Sequence, residues 1–294
     1  MSDRLTWERD GRDWPHRTHS RFISAGGLRW HVQVMGNGPV VLLIHGTGAS
    51  THSFRTLASL LAPHHTVVAP DLPGHGFTAE PAAASGYSLP GVARALAALL
   101  HAMGLKPALA VGHSAGAAVA ARMKLDGFMS PATVVSLNGA LLPFPGMAYD
   151  FFGPAARFLA SSTITAKAFT LLAGSRPSVE RMLRSTGSSI DAEGQRLYAR
   201  LVASPGHVHG ALALMANWDL RPLARDLPRL PARLILVTGS KDGMVPPSES
   251  YRVRALVPKA ELVSLRGLGH LAHEERPHEV AALLQRAVLH EAAG

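Results

Sequence analysis

A serine at the centre of a five-residue motif is the first candidate for chemistry in this chain. Gly112-His113-Ser114-Ala115-Gly116 fits the pattern G-x-S-x-G. The apolar run at 108–111 predicts a strand before it, and the small-residue run at 115–125 predicts a helix after it. A serine at such a strand–turn–helix has its hydroxyl above the end of a sheet, where it can act as a nucleophile. The alternative is that Ser114 caps the helix.

A nucleophilic serine needs a base, and the base needs an acid that orients it. His270 directly follows the last predicted strand, and Asp242 directly follows the strand before it. Because the carboxyl ends of parallel strands lie at one edge of a sheet, we expect Ser114, Asp242 and His270 to converge there. The alternatives rank lower, since they follow helical sequence or lie in or near predicted helices: Asp219 and Asp226 for the acid, His273 and His278 for the base.

The same mechanism needs two N–H groups that stabilise a developing oxyanion. The N–H of Ala115 begins a predicted helix, whose dipole favours negative charge. We expect the second donor in the loop HGTGAS at 45–50, at Thr47, although Thr47 is also a typical turn residue. We expect His45 to shape this loop without reacting. Asp71 is interpreted as a cap of the turn that follows it.

These residues must be positioned by alternating strands and helices. Strand-like runs occur at 20–24, 28–35, 40–46, 66–76, 108–116, 132–141, 233–242 and 260–270. Amphipathic segments occur at 50–62, 87–104, 115–126, 248–257 and 276–291. This alternation predicts an α/β fold with a mostly parallel, doubly wound sheet and a helical cap inserted between two strands. We expect residues 1–141 and 218–294 to form the core, and 142–217 to form the cap.

Composition excludes several other kinds of chemistry. The 294 residues include no cysteine, which rules out disulfides, thiolate metal sites and cysteine nucleophiles. The formal net charge is +9, yet the basic residues are scattered and show no nucleic-acid-binding motif, so we expect no nucleic-acid partner. No signal peptide or membrane-spanning run is visible, and the expected location is the cytoplasm.

Sixteen histidines raise the question of a metal site. The candidate pairs are His64-His65, His207-x-His209 and His270-x-x-His273. None has the carboxylate or cysteine spacing of a recognised site, so we expect neither a metal nor a cofactor.

Motifs along nearly the whole chain resemble those of the α/β-hydrolase fold family. They are HGTGAS, DLPGHGFT, GHSAG, KDGMVP and GLGHLAHEERP. Within that family, SRFISAGGLRWHVQ, HGTGASTHSFR, APDLPGHGFT, SLNGALLPFPGMA and MANWDL resemble the magnesium-chelatase accessory proteins of bacteriochlorophyll biosynthesis. The resemblance places the nucleophile at Ser114, the acid at Asp242, the base at His270 and the oxyanion donors at Thr47 and Ala115.

The resemblance implies a serine hydrolase near the magnesium-chelatase step, acting on an ester or related carbonyl of an apolar, porphyrin-linked substrate. The alternative is a non-catalytic porphyrin-binding protein that assists the chelatase. It also implies contact with chelatase subunits and with the surface of the photosynthetic membrane. Other reactions that the same three residues can catalyse stay open.

The predicted cap carries features suited to such a substrate. Its seven Lys/Arg and four Asp/Glu between 142 and 217 give it a net charge of +3, which would suit porphyrin propionates. We expect most of the large apolar side chains in and next to the cap to pack it on the core and the others to line a pocket. They are Leu141, Leu142, Phe144, Met147, Tyr149, Phe151, Phe152, Phe158, Phe169, Leu171, Leu172, Met182, Met215 and Trp218.

Overall fold

An eight-stranded sheet with the strand order β1-β2-β4-β3-β5-β6-β7-β8 forms the centre of the computed structural model. The structure describes residues 4–130, 133–143 and 162–292. The strands are β1 (Ser20–Ala25), β2 (Leu28–Met35), β3 (Val40–Ile44), β4 (Thr66–Pro70), β5 (Leu109–His113), β6 (Thr133–Leu137), β7 (Arg233–Gly239) and β8 (Glu261–Leu265). All eight strand-like runs of the sequence therefore contain a strand.

The sheet is parallel from β4 to β8 in spatial order. Only β2 runs in the opposite direction: it pairs antiparallel with β1 in a hairpin and antiparallel with β4 on its other side. Strands β5 and β6 are buried at every residue, as expected for strands that are covered on both faces. The predicted α/β fold class is confirmed.

Helices cover both faces of this sheet. The described helices are α1 (Trp7–Asp10), α2 (Arg55–Leu61), α3 (Leu89–Ala102), α4 (Ala115–Leu125), α5 (Thr163–Ala173), α6 (Arg176–Ser185), α7 (Ala192–Val202), α8 (Pro205–Ala216), α9 (Arg221–Asp226), α10 (Pro247–Leu256), α11 (Ala272–Glu275) and α12 (Pro277–Ala292). One apolar cluster joins α3 and α4 to the sheet, and a second joins α2 and α12 to its other face. None of the helices in the described part of the chain is long and apolar enough to cross a membrane.

The order of the strands creates a crevice next to β3. The chain runs from β3 to β4 on one side and then returns to β5 on the other side. Loops that follow β3 and β5 therefore diverge at a topological switch point, the usual ligand crevice of an open α/β sheet. Thr47 follows β3 and Ser114 follows β5, so these two residues border the crevice.

Five helices of the described residues, α5 to α9, lie between β6 and β7, and we call α5 to α8 the inserted helices. The side chains of Ser162, Ser175 and Asp191 cap the N-termini of α5, α6 and α7. Six of the apolar candidates lie at 144–161, outside the described residues.

The predicted packing of the other apolar side chains is wrong in part. Leu141 and Leu142 are buried, but five side chains are exposed: Phe169, Leu171, Leu172, Met182 and Met215. Helix α5 places the small side chain of Ala166 against the rest of the protein, and this leaves its longer side chains on the outer face.

Candidate active site

Ser114 sits on a strained turn between β5 and α4. Its φ of 52° and ψ of −119° are rare for a residue with a side chain. Hydrogen bonds hold the turn on both sides, because the Ser114 N–H donates to Leu137 O at 3.0 Å and the Ala140 N–H donates to Ser114 O at 3.1 Å. The Ser114 side chain does not cap α4, which removes the alternative interpretation of this serine.

A glycine lets the helix approach the sheet at this turn. A Cβ on Gly116 would lie 2.1 Å from the carbonyl oxygen of Ile44, at the end of β3. Only glycine fits there without displacing the backbone. The motif around Ser114 therefore needs this glycine in order to seat α4 against β3.

Asp242 and His270 form the pair that the sequence predicts. His270 Nδ1 donates to Asp242 Oδ2 at 2.9 Å, and both residues are buried. The other carboxylate oxygen accepts the N–H groups of Met244 and Val245 at 2.8 and 2.9 Å. Since Nδ1 carries the proton, Nε2 of the neutral ring has a free electron pair and can accept a proton.

Asn138 supports this pair, and the sequence interpretation missed it. Its Nδ2 donates to Asp242 Oδ2 at 2.7 Å and to Gly269 O at 3.3 Å. Asn138 has a φ of 47° at the end of β6, a conformation that asparagine tolerates better than most residues. The Asn-Gly dipeptide at 138–139, inside the strand-like run 132–141, was the available signal, because Asn-Gly is typical of a turn.

His113 connects the loop of the predicted base to the turn of the serine. Its Nε2 donates to the backbone oxygen of His270 at 2.9 Å, and the two rings lie 4.7 Å apart. Burial holds the pKa of His113 well below its usual range, so the ring is neutral. Because His113 directly precedes Ser114, this bond joins the loop that carries His270 to the turn that carries Ser114.

A tight turn at 46–49 presents Thr47 at the edge of the crevice. The Ala49 N–H closes it on Gly46 O at 3.2 Å, and Gly48 has a φ of 75°. Within the described residues, the N–H groups of Thr47 and Ala115 have no backbone acceptor. Both are therefore available to an oxyanion in the crevice.

His45 holds the turn from beneath. Its Nε2 accepts the N–H of Leu72 at 2.8 Å, so the proton of the neutral ring is on Nδ1, which donates to Gly46 O at 2.8 Å. A trans peptide directs its N–H away from its carbonyl, so the fixed Gly46 oxygen also fixes the Thr47 N–H. His45 thus has the shaping role that the sequence predicts.

Asp71 has a structural role at the neighbouring turn. Its carboxylate accepts the N–H groups of Thr51 and Phe77 and the Nδ1–H of His31, at 2.7, 2.9 and 2.7 Å. Burial opposes its ionisation, but the His31 partner is strong enough to hold the pKa of Asp71 below its usual range. The carboxylate joins three segments beneath the site.

The alternative acid and base residues lie elsewhere. Asp219 bonds to Arg221, and Asp226 pairs with Arg122 and Arg225. His278 is exposed on α12. His273 is buried against His113, and burial lowers its pKa to about 3, which makes it a poor proton acceptor.

The histidine pairs do not form a metal site in the described part of the chain. No group of three or more metal-ligating side chains is present there. His207 and His209 diverge, since His207 contacts Gly48 and Gly76, whereas His209 contacts Glu80.

Comparison with known proteins decides the family. Residues 39–277 match the model of the alpha/beta hydrolase fold family. The chain belongs to the α/β hydrolase fold family.

Individual relatives agree with this assignment. The chain is 39% identical over 265 residues to the magnesium-chelatase 30 kDa subunit of Rhodobacter capsulatus, with 89% of this chain and 92% of that protein covered. It is 29% identical over 275 residues to a pimeloyl-[acyl-carrier protein] methyl ester esterase of Xanthomonas oryzae, with coverages of 88% and 98%. The crystal structure of an epoxide hydrolase from Vigna radiata matches with a TM-score of 0.74 at 20% identity, over 92% of this chain and 97% of that one.

In this α/β hydrolase fold protein, the segment after α6 contacts the loops of both the acid and the base. Thr186 O accepts the N–H groups of Gly243 and His270, each at 3.1 Å. Two residues on, Ser188 Oγ accepts the N–H of Leu271 at 2.8 Å. The segment that joins α6 to α7 is thus part of the support for the Asp242–His270 pair.

A buried carboxyl joins the hydrolase core to α7. Glu274 accepts hydrogen bonds from Arg55 Nη1 at 2.5 Å and from the Tyr198 hydroxyl at 2.9 Å. Arg55 Nη2 also donates to Asp191, the cap of α7, at 2.6 Å. Burial raises the pKa of Glu274 to about 7 although the Arg55 guanidinium opposes the shift.

Proposed function

We propose that this α/β hydrolase fold protein is a serine hydrolase that cleaves an ester or a related carbonyl compound. The observation that carries the proposal is the hydrogen bond of His270 to Asp242 at the same sheet edge as the strained Ser114. The similarity of the chain to a methyl ester esterase supports the proposed cleavage of a carboxyl ester.

In the proposed reaction, Ser114 Oγ attacks the carbonyl carbon and gives its proton to His270 Nε2. Asp242 keeps the imidazole oriented and stabilises it while it is charged. The N–H groups of Thr47 and Ala115 bind the oxyanion. The tetrahedral intermediate then expels the alcohol, which takes the proton from His270.

Water completes the cycle by the same route. It gives a proton to His270 and attacks the acyl-enzyme, and the second tetrahedral intermediate releases the carboxylic acid and restores the Ser114 hydroxyl. The donors that serve the first intermediate also serve the second. The reaction therefore needs no group beyond the residues on these loops.

We infer a place for this reaction near the magnesium-chelatase step of bacteriochlorophyll biosynthesis. The support is the 39% identity to a magnesium-chelatase 30 kDa subunit over most of both chains. An ester on an apolar, porphyrin-linked molecule is the proposed substrate, and residues 142–217 are the proposed lid over the core. Contact with chelatase subunits belongs to the same proposal.

The charge of the proposed lid supports propionate binding less than its composition implies. Arg176 and Arg184 both pair with Glu180, while Arg196 and Arg200 both pair with Asp13. These two carboxylates therefore offset half of the positive charge of the four arginines. Glu180 is already part of the net charge of +3, so Asp13 is the additional acid.

Labelling with a fluorophosphonate tests the hydrolase proposal. Wild-type protein should be labelled at Ser114, and Ser114→Ala should lose the label and the hydrolysis of p-nitrophenyl acetate. Ser59→Ala, on α2, is the matched control and should behave as wild type. Folded wild-type protein that neither takes up the label nor hydrolyses the ester would contradict the proposal.

Complementation separates catalysis from a binding role. In a strain that lacks this protein, Ser114→Ala should fail to restore pigment synthesis. Full restoration by Ser114→Ala, together with protoporphyrin IX binding in a fluorescence titration, would favour the non-catalytic accessory role.

We also propose that α5 contacts an anionic membrane surface. Ile164, Leu171 and Leu172 are 79%, 84% and 81% exposed and share one helix face. Residues 151–175 contain two Lys/Arg and no Asp/Glu, which complements the charge of anionic lipid.

Vesicle binding tests this contact. Replacing the three residues by serine should lower co-sedimentation with phosphatidylglycerol vesicles about tenfold, because apolar burial drives such contacts. The substitution Met244→Ser, which also removes an exposed apolar side chain, is the control. Equal binding of all variants would overturn the proposal, as would self-association of the wild type through α5.

A further inference from the structure

His207 lies on the inserted helix α8 but reaches the turn that presents Thr47. Its Nε2 lies 3.1 Å from Gly48 O, and its Nδ1 lies 3.0 Å from the Gly76 nitrogen. The side chain is buried, with only 2% of the residue exposed. It therefore joins three separate segments: the inserted helices, the 46–49 turn and the turn after Asp71.

The hydrogen-bond partners determine the tautomer of His207. A backbone N–H can only donate, so the bond from Gly76 requires an unprotonated Nδ1. The proton of the neutral ring is then on Nε2, which donates to Gly48 O. Burial keeps the ring in this neutral form by lowering the pKa of His207 to about 4.

The bond to Gly48 acts on the Thr47 N–H through two peptide groups. The Gly48 oxygen and the Ala49 N–H belong to one peptide, and the Ala49 N–H donates to Gly46 O. That oxygen belongs to the peptide whose N–H is the Thr47 donor. Since both peptides are planar and trans, fixing the Gly48 oxygen from α8 limits the rotation of the whole turn.

We propose that His207 is a positioning residue for the oxyanion turn, so that the Thr47 N–H is correctly aimed only while α8 is seated on the core. This inference rests on the proposed hydrolase function. His45 fixes the first peptide of the turn from the core side, and His207 fixes the second from the inserted helices. Substrate or partner contacts that shift α8 would change the rate of the chemical step through this bond.

Two amide variants separate the bonds of His207. In His207→Asn the amide oxygen lies near the Nδ1 position and still accepts from Gly76, but the side chain is too short to donate to Gly48. In His207→Gln the amide nitrogen lies near the Nε2 position and still donates to Gly48. Each variant keeps one of the two bonds, so both should lose similar stability.

Steady-state hydrolysis of p-nitrophenyl acetate gives the main readout. Removing an oxyanion donor costs roughly 100- to 1000-fold in kcat, and a loosened donor should cost less. We expect His207→Asn to lower kcat about tenfold with KM within about twofold, and His207→Gln to recover to within about threefold of wild type. The control is His65→Asn. His65 is a buried histidine directly before β4, at the amino ends of the parallel strands and away from the site, so this variant should keep the wild-type kcat.

A second readout does not depend on activity. In ¹⁵N-labelled protein, the Thr47 amide resonance should shift in His207→Asn and return towards the wild-type position in His207→Gln. A wild type that is inactive would refute the proposed function, while this amide shift would still report on the geometry. Equal kcat values for the Asn and Gln variants, or an unmoved Thr47 amide in His207→Asn, would overturn the role of His207.

Discussion

Acidification should destabilise this protein steeply, because six histidines are buried in the neutral form. They are His45, His52, His75, His113, His207 and His273. In each, burial is the largest cause that lowers the pKa. In the unfolded chain a histidine has a pKa of about 6.5, so below this pH the unfolded state binds more protons than the folded state. The contribution to stability is therefore complete above about pH 7 and is lost as the pH falls.

Glu274 opposes this effect, because it releases about one proton when the protein unfolds. Its carboxyl has a pKa of about 7 in the folded protein, whereas an unfolded glutamate has a pKa of about 4.3. Between these values the folded state binds the additional proton. Near pH 5.5, His207 and His273, with pKa values of about 4 and about 3, together take up nearly two protons on unfolding. The other four histidines add to this uptake, so the net value should exceed about two protons, or about 3 kcal/mol per pH unit. Between pH 7 and pH 5 the loss should therefore reach several kcal/mol, a large part of the stability of a typical domain.

Denaturation with guanidinium chloride at several pH values between 5.5 and 7.5, followed by tryptophan fluorescence, measures this slope. The variant His273→Leu removes one histidine whose ring nitrogens have no hydrogen-bond partner among the described residues. It should lower the slope by about 1.4 kcal/mol per pH unit without a large loss of stability at pH 7.5. His278→Leu, at an exposed histidine, should leave the slope unchanged. An uptake below about two protons, or an unchanged slope in His273→Leu, would refute the reasoning.

Three further substitutions have defined outcomes. Asp242→Asn should lower ester hydrolysis roughly 1000- to 10,000-fold in a folded protein, since the amide favours the wrong tautomer of His270; circular dichroism checks the fold. Asn138→Gly keeps the positive φ but removes the bond to Asp242, so kcat should fall roughly tenfold, and an unchanged kcat would rule out that support. Asp71→Ala leaves three buried donors without their acceptor and should lower the free energy of unfolding by about 3–5 kcal/mol in urea titrations.

Periodicity and strand-end position were sufficient to predict the sheet and the pairing of Asp242 with His270. Each strand is a local apolar run, and parallel strands bring their carboxyl ends to one edge wherever the intervening chain goes. The long separation of Ser114 from Asp242 along the chain therefore did not prevent the prediction that both lie at the same sheet edge. Helix α11 and the short helix α1 escaped prediction because single turns carry too little pattern.

The inserted helices show where such reasoning fails. An apolar side chain in a helix indicates burial only when the helix has one apolar face, and α5 places its large side chains outward. Likewise, nothing local distinguishes His207, which bonds to the oxyanion turn, from His209 two residues later on the same helix. Their difference arises from the way in which α8 packs against segments far away in the chain.

The inserted helices are coupled to both halves of the proposed chemistry. Thr186 O holds the loops of Asp242 and His270, and His207 holds the turn of Thr47. Removing these helices would leave the Gly243 and His270 N–H groups and the Gly48 oxygen without these partners, so the core alone would have a poorly ordered site. Sequence changes that alter which substrates fit beneath the helices will therefore also alter the rate of the chemical step, unless they leave the Thr186 and His207 contacts in place.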